Sequence, residues 1–557
     1  MRFLVQSSKR VGTLPTLDEK ANIAPLAWLR ASAILRAQNK PQEAADLLNA
    51  ARGQYEGPLA GDPSRVDWIP LLQYHHGLAL REAAKLPDSQ KTFEGIVQKY
   101  PNWSDAPQAA WRAGQVRRED ALLKYAAART LEVKPDAKPE QLAQAKKDID
   151  DSLVVLRDVA KYFRDQANQL AQKKLAGQEI QLRMFYESAW SNRTVADVEV
   201  AAARKKLADE AFKKLQEQLA KNPPPMPKPG DPPAPKAVDL RPPEIAITAV
   251  PLQPAEAAMR EAYTALIAAA ADAPLSLHAR LELAELHAQR DQFDEAIPLL
   301  VDAIDQEPPT ELEERLRLRL GTCLLAKKDP DAAAEQFASV AGNVKSPLAP
   351  EAKYRTAECY LQKEDFAKAI AELAPFRDQG PLHNIPGVSD RAVLRLGHAY
   401  AHAKQWDPSR QAMEILTSRY PQSPWRFEAR YGIGWAWQNQ QSYDNAANTY
   451  ATVVRETGTE VAARAQIQTG LCRLAQKKPA EALSALLAVP LTYDYPEWNA
   501  MALVEAARVS VELQQPIQAV RLLERVRKEY PDTQWSKIAA ERLMELEKAA
   551  GPLTAVP

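Results

Sequence analysis

The sequence contains few cysteines and few glycines, and it has no excess of charge of either sign. Of 557 residues, 3 are cysteine and 19 are glycine, and 72 lysines and arginines balance 72 aspartates and glutamates. Three scattered cysteines exclude a disulfide framework and a zinc site of the usual spacing. A nucleic-acid-binding protein normally has a basic excess on its binding face. We therefore expect no nucleic-acid partner.

Long apolar runs and catalytic motifs are also missing. No segment approaches the roughly 18 uninterrupted apolar residues of a membrane helix, so we expect no integral membrane segment. The first ten residues, MRFLVQSSKR, lack the apolar run of a signal peptide. The sequence has no glycine-rich phosphate loop, nucleophile elbow or calcium loop. We expect no enzymatic activity and no cofactor.

A helical stripe of small and large apolar residues recurs along the second half of the chain. Ala296, Leu300 and Ala303 are spaced four and three apart, and Pro308 ends their helix. We call the first residue of this stripe the anchor. The anchors are Ala296, Ala333, Ala369, Ser409, Ala446, Ala482 and Ala519, at intervals of 37, 36, 40, 37, 36 and 37 residues. A nearly fixed period of this kind predicts a repeat protein.

A residue with a small side chain, which we call the small residue, lies twelve positions before each anchor. The small residues are Ala284, Gly321, Ala357, Gly397, Gly434, Gly470 and Ala507. A small side chain allows one helix to approach its neighbour closely. Two helices of about 14 residues with short turns account for one period. The sequence therefore predicts an all-α fold of stacked helix pairs.

Short motifs around these positions resemble the tetratricopeptide repeat. The runs GHAY (397–400) and GWAW (434–437) follow the small residue, and FDEA (293–296) and YDNA (443–446) lead into the second helix. The resemblance implies a right-handed α-solenoid of helix hairpins. Repeat endings of the type YP, as at 420–421 and 530–531, are also similar to bacterial cell-envelope members, namely the outer-membrane-protein assembly lipoproteins and the Tol-Pal coordinator.

The first half of the chain has the same frame with interruptions. Gly114 is a small residue whose second helix is displaced along the sequence by the charged, proline-bearing run 133–139. We place the stripe of that second helix at Ser152, Leu156 and Val159. An apolar stripe with steps of four and three continues to Leu170, which predicts a long helix in a coiled-coil-like seam. The predicted domains are N-terminal repeats at 1–128, a long helical insertion at 129–222, a proline-rich linker or intra-repeat loop at 223–254, and a C-terminal array with a terminal capping helix at 255–549.

The proline-rich run PPPMPKPGDPPAPK at 223–236 has two interpretations. Proline sustains neither helix nor sheet, so the run is either a linker between domains or a loop inside one repeat. In the second case the helix before it is a first helix, and the helix with anchor Ala262 is its second helix. That alternative predicts that residues 255–272 pack on residues 178–220.

The cysteines and one histidine pair could carry chemistry, but packing explains them better. Cys323, Cys359 and Cys472 each lie two residues after a small residue, and we expect all three to be buried. His398 and His402 have the i, i+4 spacing of metal ligands. Because no third ligand is evident in the sequence, we favour a partner-facing pair and predict no metal.

The resemblance implies that the first helices line a concave groove. The positions three before and one after the small residue then face a partner, and aromatic residues and arginine are enriched where binding energy is concentrated. The predicted groove residues are Tyr354, Glu358, Leu394, His398, Tyr431, Trp435 and Arg508. The alternative for Tyr431 and Trp435 is packing against a neighbouring turn. The slots lack the lysine and asparagine of chaperone-tail-binding members, which disfavours that role.

Two functions follow from this reading. The first is a protein–protein interaction scaffold that binds a peptide or helix of a partner in the groove. The second is a structural cell-envelope assembly component that self-associates through its long helices. The resemblance favours a periplasmic or cell-envelope location, whereas the start of the given sequence favours the cytoplasm.

Overall fold

A computed structural model describes residues 24–173, 178–221 and 242–550. Within these ranges the chain forms α-helices joined by turns and two short 3₁₀ turns, and it forms no strand. None of the helices in this part of the chain is long and apolar enough to cross a membrane. The proline-rich run 223–236 and the first ten residues lie outside the described residues.

The first compact unit comprises the described residues of Met1–Ala211 and Pro243–Pro308. Its helices are α1 (Ala24–Ala37), α2 (Pro41–Ala60), α3 (Trp68–Glu82), α4 (Leu86–Lys99), α5 (Ala106–Glu132), α6 (Pro139–Gln172), α7 (Glu179–Lys221, as far as Ala211), α8 (Pro254–Ala269), α9 (Pro274–Ala288) and α10 (Phe293–Ile304). Residues 129–222, which the sequence indicates as an insertion, contain the last turn of α5 and the whole of α6 and α7.

The second compact unit comprises the described residues of Phe212–Pro242 and Pro309–Pro557. Its paired helices are α11 (Thr310–Ala326), α12 (Pro330–Ala341), α13 (Ala349–Gln362), α14 (Phe366–Asp378), α15 (Ser389–His402), α16 (Trp406–Arg419), α17 (Arg426–Asn439), α18 (Tyr443–Glu456), α19 (Glu460–Ala475), α20 (Pro479–Thr492), α21 (Pro496–Glu512) and α22 (Pro516–Glu529), followed by α23 (Gln534–Ala550). Each helix packs on the next, so the predicted all-α solenoid is confirmed.

The small residues are required by the packing of the two helices in a pair. A Cβ atom added at Gly321 would lie 2.7 Å from the ring of Phe337, and one added at Gly434 would lie 2.6 Å from the ring of Tyr450. Each of these aromatic residues lies four positions after its anchor and is fully buried. The ring therefore fills the space that the missing side chain leaves, which fixes the register of the two helices.

The sequence analysis places Leu156 opposite Gly114, but the structure places Phe163 there, two helical turns later on the same helix. The prediction is therefore wrong. Gly114 faces the ring of Phe163, since an added Cβ would lie 2.4 Å from it. At the regular pair α3–α4, the hydroxyl of Ser89 donates to the carbonyl of Gly77 at 2.7 Å. Ser152, predicted as the equivalent anchor, donates instead to a carbonyl of its own helix. α5 and α6 have 27 and 34 residues, so a helix of regular length does not fix the point at which they meet, and Gly114 contacts the second half of α6.

The helix after the proline-rich run packs on the helix before it. The rings of Tyr186 on α7 and Tyr263 on α8 meet edge to face, with centroids 5.6 Å apart. The backbone N–H of Ala255 donates to Glu199 at 2.9 Å. Apolar residues of α6, α7 and α8 belong to one buried cluster. This is the packing expected if the run lies inside one repeat, with α7 and α8 as the pair.

The turns between paired helices contain an unusual backbone conformation. Nine of these turns each have one non-glycine residue with φ between 57° and 64°: Asn39, Ala84, Asp291, Lys328, Glu364, Lys404, Gln441, Lys477 and Gln514. The following N–H then bonds back to the first helix, as from Ser442 to the carbonyl of Trp437 at 2.9 Å. Helices commonly end in this way, but with glycine at the left-handed position.

Replacing Gln441 with glycine is expected to raise the free energy of unfolding by about 1 kcal/mol, since its side chain is strained at φ 60°. The midpoint of urea unfolding measures the change. Gln441→Ala is the matched control, because alanine retains the Cβ atom that causes the strain. Equal midpoints for the glycine and alanine variants would show that the turn stores no such strain.

Candidate functional site

Four first helices of the second unit, from α15 to α21, pack on one another in succession. α15 packs on α17, α17 on α19, and α19 on α21, whereas the intervening second helices approach one another less. These four first helices therefore lie together on one side of the unit, the side that the sequence analysis predicts to be the groove.

The position one after the small residue is the accessible row on this face. It is occupied by Glu358, His398, Trp435, Leu471 and Arg508. Trp435 is 38% exposed although it is one of the largest apolar side chains. Arg508 is also exposed, and the other three are half-buried. We call these five residues the groove row.

The position three before the small residue is more deeply buried. Tyr354, Leu394, Ile467 and Val504 are at most 5% exposed, and Tyr431 is half-buried. The next first helix lies over this position, because successive first helices pack on each other. Of the predicted groove residues, Tyr354 and Leu394 are thus covered, while Glu358, His398, Trp435 and Arg508 remain at least partly accessible.

Two arginines cover the buried tyrosines, and the sequence reasoning missed them. The guanidinium of Arg391 lies 5.0 Å from the ring centroid of Tyr354, and that of Arg464 lies 4.4 Å from that of Tyr431. A cation in this position is attracted by the face of the ring. Each arginine lies six positions before the small residue of its own helix. That shared position is the signal that could have identified them.

Tyr431 packs beneath the surface of the groove row. Its ring packs on that of Tyr450 with centroids 5.4 Å apart. Burial raises the pKa of the Tyr431 hydroxyl, with Arg464 acting in the opposite direction. Arg464 is in turn held by Glu428 at 3.2 Å. The ring of Tyr431 therefore contacts other residues of the protein, whereas the ring of Trp435, four residues later, is partly exposed to solvent.

Glu358 accepts several hydrogen bonds at one end of the row. The hydroxyl of Tyr354 donates to it at 2.6 Å, and Arg355 donates at 3.0 Å. Arg395, from the next first helix, lies 3.5 Å away. Burial, and then the hydrogen bond to Glu358, raise the pKa of Tyr354. The carboxylate of Glu358 therefore links two neighbouring repeats. Its negative charge is balanced by the two arginines.

The two histidines lie in different surroundings. Burial lowers the pKa of His398 to about 4, and nearby Arg395, His402 and Arg464 contribute in the same direction. The imidazole is thus neutral at physiological pH. The ring of His402 stacks instead on Phe366, with centroids 5.2 Å apart. In the described part of the chain, no three His, Cys, Asp or Glu side chains are grouped so that they could hold a metal ion.

The cysteines serve as packing residues. Cys323, Cys359 and Cys472 are buried thiols, and the prediction of their burial is confirmed. Burial raises the pKa of Cys359 to about 12 and that of Cys472 to about 11. Because the thiolate is the reactive form, these two side chains are poor nucleophiles at neutral pH.

Comparison with known families agrees with the geometry of these pairs. Models of the tetratricopeptide repeat match residues 259–311, 318–381, 391–423 and 431–492. The chain carries tetratricopeptide repeats. The matched ranges contain four of the five residues of the groove row, namely Glu358, His398, Trp435 and Leu471. No curated protein matches the chain.

Several solved structures are similar to the chain at low identity. A tetratricopeptide repeat protein from Parabacteroides merdae has 15% identity and a TM-score of 0.36, and the match covers 49% of this chain and 98% of that one. Yeast Tom70 has 11% identity and a TM-score of 0.33, covering 95% and 97%. A signal-transduction ATPase with a tetratricopeptide repeat sensor from Pyrococcus horikoshii has 12% identity and a TM-score of 0.38, covering 86% and 74%.

Proposed function

We propose that this protein is an interaction scaffold that binds a peptide or helix of a partner protein on the concave face of its second unit. Tetratricopeptide repeats generally mediate protein–protein interactions and are typically not catalytic. The observation that carries the proposal is the exposure of Trp435 in the middle of the groove row. A rigid face built from several helices presents this side chain without a further ordering cost.

The chemistry of the groove row suits an amphipathic segment. Trp435 and Leu471 offer apolar contact at the centre, while Glu358 and Arg508 offer charged contacts nearer the two ends. An apolar centre with a polar rim is the usual composition of a protein interface. A partner that covers Trp435 would remove its exposed ring surface from water, which is where we expect most of the binding free energy to arise.

Replacing Trp435 with alanine is expected to weaken partner binding by about thirtyfold, the effect of losing one central aromatic residue of about 2 kcal/mol. The partner is first identified by affinity capture with the native protein, and its affinity is then measured by calorimetry. Trp425→Ala is the matched control, because Trp425 is 40% exposed and lies immediately before the same helix. An equal loss in both variants, or none in either, would reject this site.

The second function, a self-associating cell-envelope component, is supported by apolar side chains on the long helices. Leu123 is 59% exposed on α5, Val133 is 71% exposed just after it, and Val154 is 52% exposed on α6. Their burial between copies would favour association. With this second function we also propose that the protein is located in the periplasm. Light scattering at high concentration tests it, since a strict monomer would exclude self-association.

A further inference from the structure

A recess on the first unit gathers basic side chains from one helix face. It has a volume of about 190 Å³ and lies where α6 and α7 meet the start of α8. Its polar lining includes Arg157, Lys161, Arg164, Asn192 and Glu199. All of these residues belong to the first unit, whereas the groove row belongs to the second. We call it the basic recess.

Three cations line the recess because of their spacing on α6. Arg157, Lys161 and Arg164 are separated by four and three residues, which places them on one face of the helix. Arg157 donates to Glu199 at 3.2 Å, and Arg164 donates to Glu261 at 3.1 Å. Among the described residues, Lys161 makes no ion pair and is exposed.

The charge of the lining is unbalanced. The three cations of α6 and the single carboxylate of Glu199 sum to +2. Glu261, which pairs with Arg164, does not line the recess and is largely exposed. A concentration of positive charge in a recess attracts anions more strongly than the same charges on an open surface.

The recess already holds one negatively charged group, which shows how it would hold another. The carboxylate of Glu199 accepts from Arg157 and also from the backbone N–H of Ala255 at 2.9 Å, in the first turn of α8. Helix N-termini stabilise negative charge in this way. Glu199 uses that N–H, so a bound anion would be held mainly by Lys161 and the two arginines.

A buried amide adds a neutral donor. Asn192 is 5% exposed and lines the recess. Its Nδ2 makes one long contact of 3.4 Å to the carbonyl of Ser188, at the outer limit of hydrogen bonding. The amide nitrogen carries two hydrogens, and a buried donor that is poorly satisfied is costly. An anion in the recess would give this amide a stronger acceptor.

We propose that the basic recess binds a phosphate group. Arg157, Lys161 and Arg164 present three cationic donors on one face, which suits the several oxygens of a phosphate group better than the two oxygens of a carboxylate. The volume has room for a phosphate, since it exceeds that of several water molecules. Arginine and lysine on one face, beside the start of a helix, are the groups that proteins use to hold phosphate.

The test is isothermal titration calorimetry of the full chain with inorganic phosphate at low ionic strength. We expect saturable binding at one site with a dissociation constant in the millimolar range. Lys161→Gln should weaken it about tenfold, the effect of removing one charge-assisted contact. Because Lys161 is exposed and makes no ion pair among the described residues, the variant should fold, and circular dichroism checks this.

The control variant is Lys147→Gln. Lys147 is an exposed lysine on α6, fourteen residues before Lys161 and outside the recess, so its loss changes the net charge equally. Phosphoserine is titrated in parallel: tighter binding of phosphoserine identifies a phosphorylated side chain as the source, and tighter binding of phosphate identifies the free ion. The proposal is overturned if neither binds saturably, or if both lysine variants weaken binding equally.

Discussion

Replacing Phe337 with alanine is expected to lower the free energy of unfolding of the second unit by about 3–5 kcal/mol, the range for truncating a fully buried phenylalanine. The ring is 0% exposed and occupies the space left by Gly321 on the facing helix. It also contacts the buried cluster that includes Cys359 of the next pair. Its loss therefore leaves a cavity both within one pair and between two pairs.

Urea unfolding followed by far-UV circular dichroism measures this loss, and hydrogen exchange of the amides of α11–α14 locates it. Val344→Ala is the matched control, because Val344 lies in the following turn and is 88% exposed. The control should change the free energy of unfolding by no more than about 0.5 kcal/mol. If Phe337→Ala were as mild as the control, the interlocking of small residue and ring would not hold the pair together.

Replacing Glu256 with alanine is expected to destabilise the first unit by about 3–5 kcal/mol, because it leaves buried arginines without their counter-charge. The carboxylate accepts from Arg290 through two bonds of 2.6 Å and from Arg260 at 3.0 Å. The side chains of Glu256 and Arg290 are each only 7% exposed. Arg290 also donates to the carbonyl of Val250, so the pair holds the segment before α8 in place.

The matched control for this variant is Glu43→Ala, which removes an ion pair with Lys40 at the surface. Both side chains of that pair are about half exposed, at 58% and 50%, and we expect a loss of at most about 1 kcal/mol. Thermal unfolding compares the two variants. Limited proteolysis in residues 242–253 should increase in Glu256→Ala only. Equal stability of the two variants would mean that the buried pair contributes no more than a surface pair.

The fold could be predicted from the sequence because the same packing pattern recurs in each repeat. An anchor and a small residue twelve positions apart recur at a nearly fixed period, so the prediction does not depend on a single match that could arise by chance. Gly114 shows where this reasoning fails. Its partner Phe163 lies 49 residues later, across the run 133–139 and within a helix whose apolar stripe fits several registers. Periodicity predicts the helix but does not decide which turn of it meets the glycine.

The candidate groove could be predicted only in part. Positions three before and one after the small residue share a helix face, so the sequence treats Tyr431 and Trp435 as equivalent. The structure distinguishes them, because Arg464 of the next first helix covers Tyr431 and leaves Trp435 exposed. The buried pair of Glu256 and Arg290 has no sequence signature, since its partners come from different repeats and occupy unrelated positions.

Site-specific photo-crosslinking tests the central claim most directly, which is that a partner binds the concave face through the groove row. A photoreactive phenylalanine is placed at position 435, or at position 448, where Asn448 is exposed on the second helix α18. We expect the captured partner to crosslink from position 435 and not from position 448. Crosslinking from position 448 alone, or equally from both positions, would contradict binding in the groove.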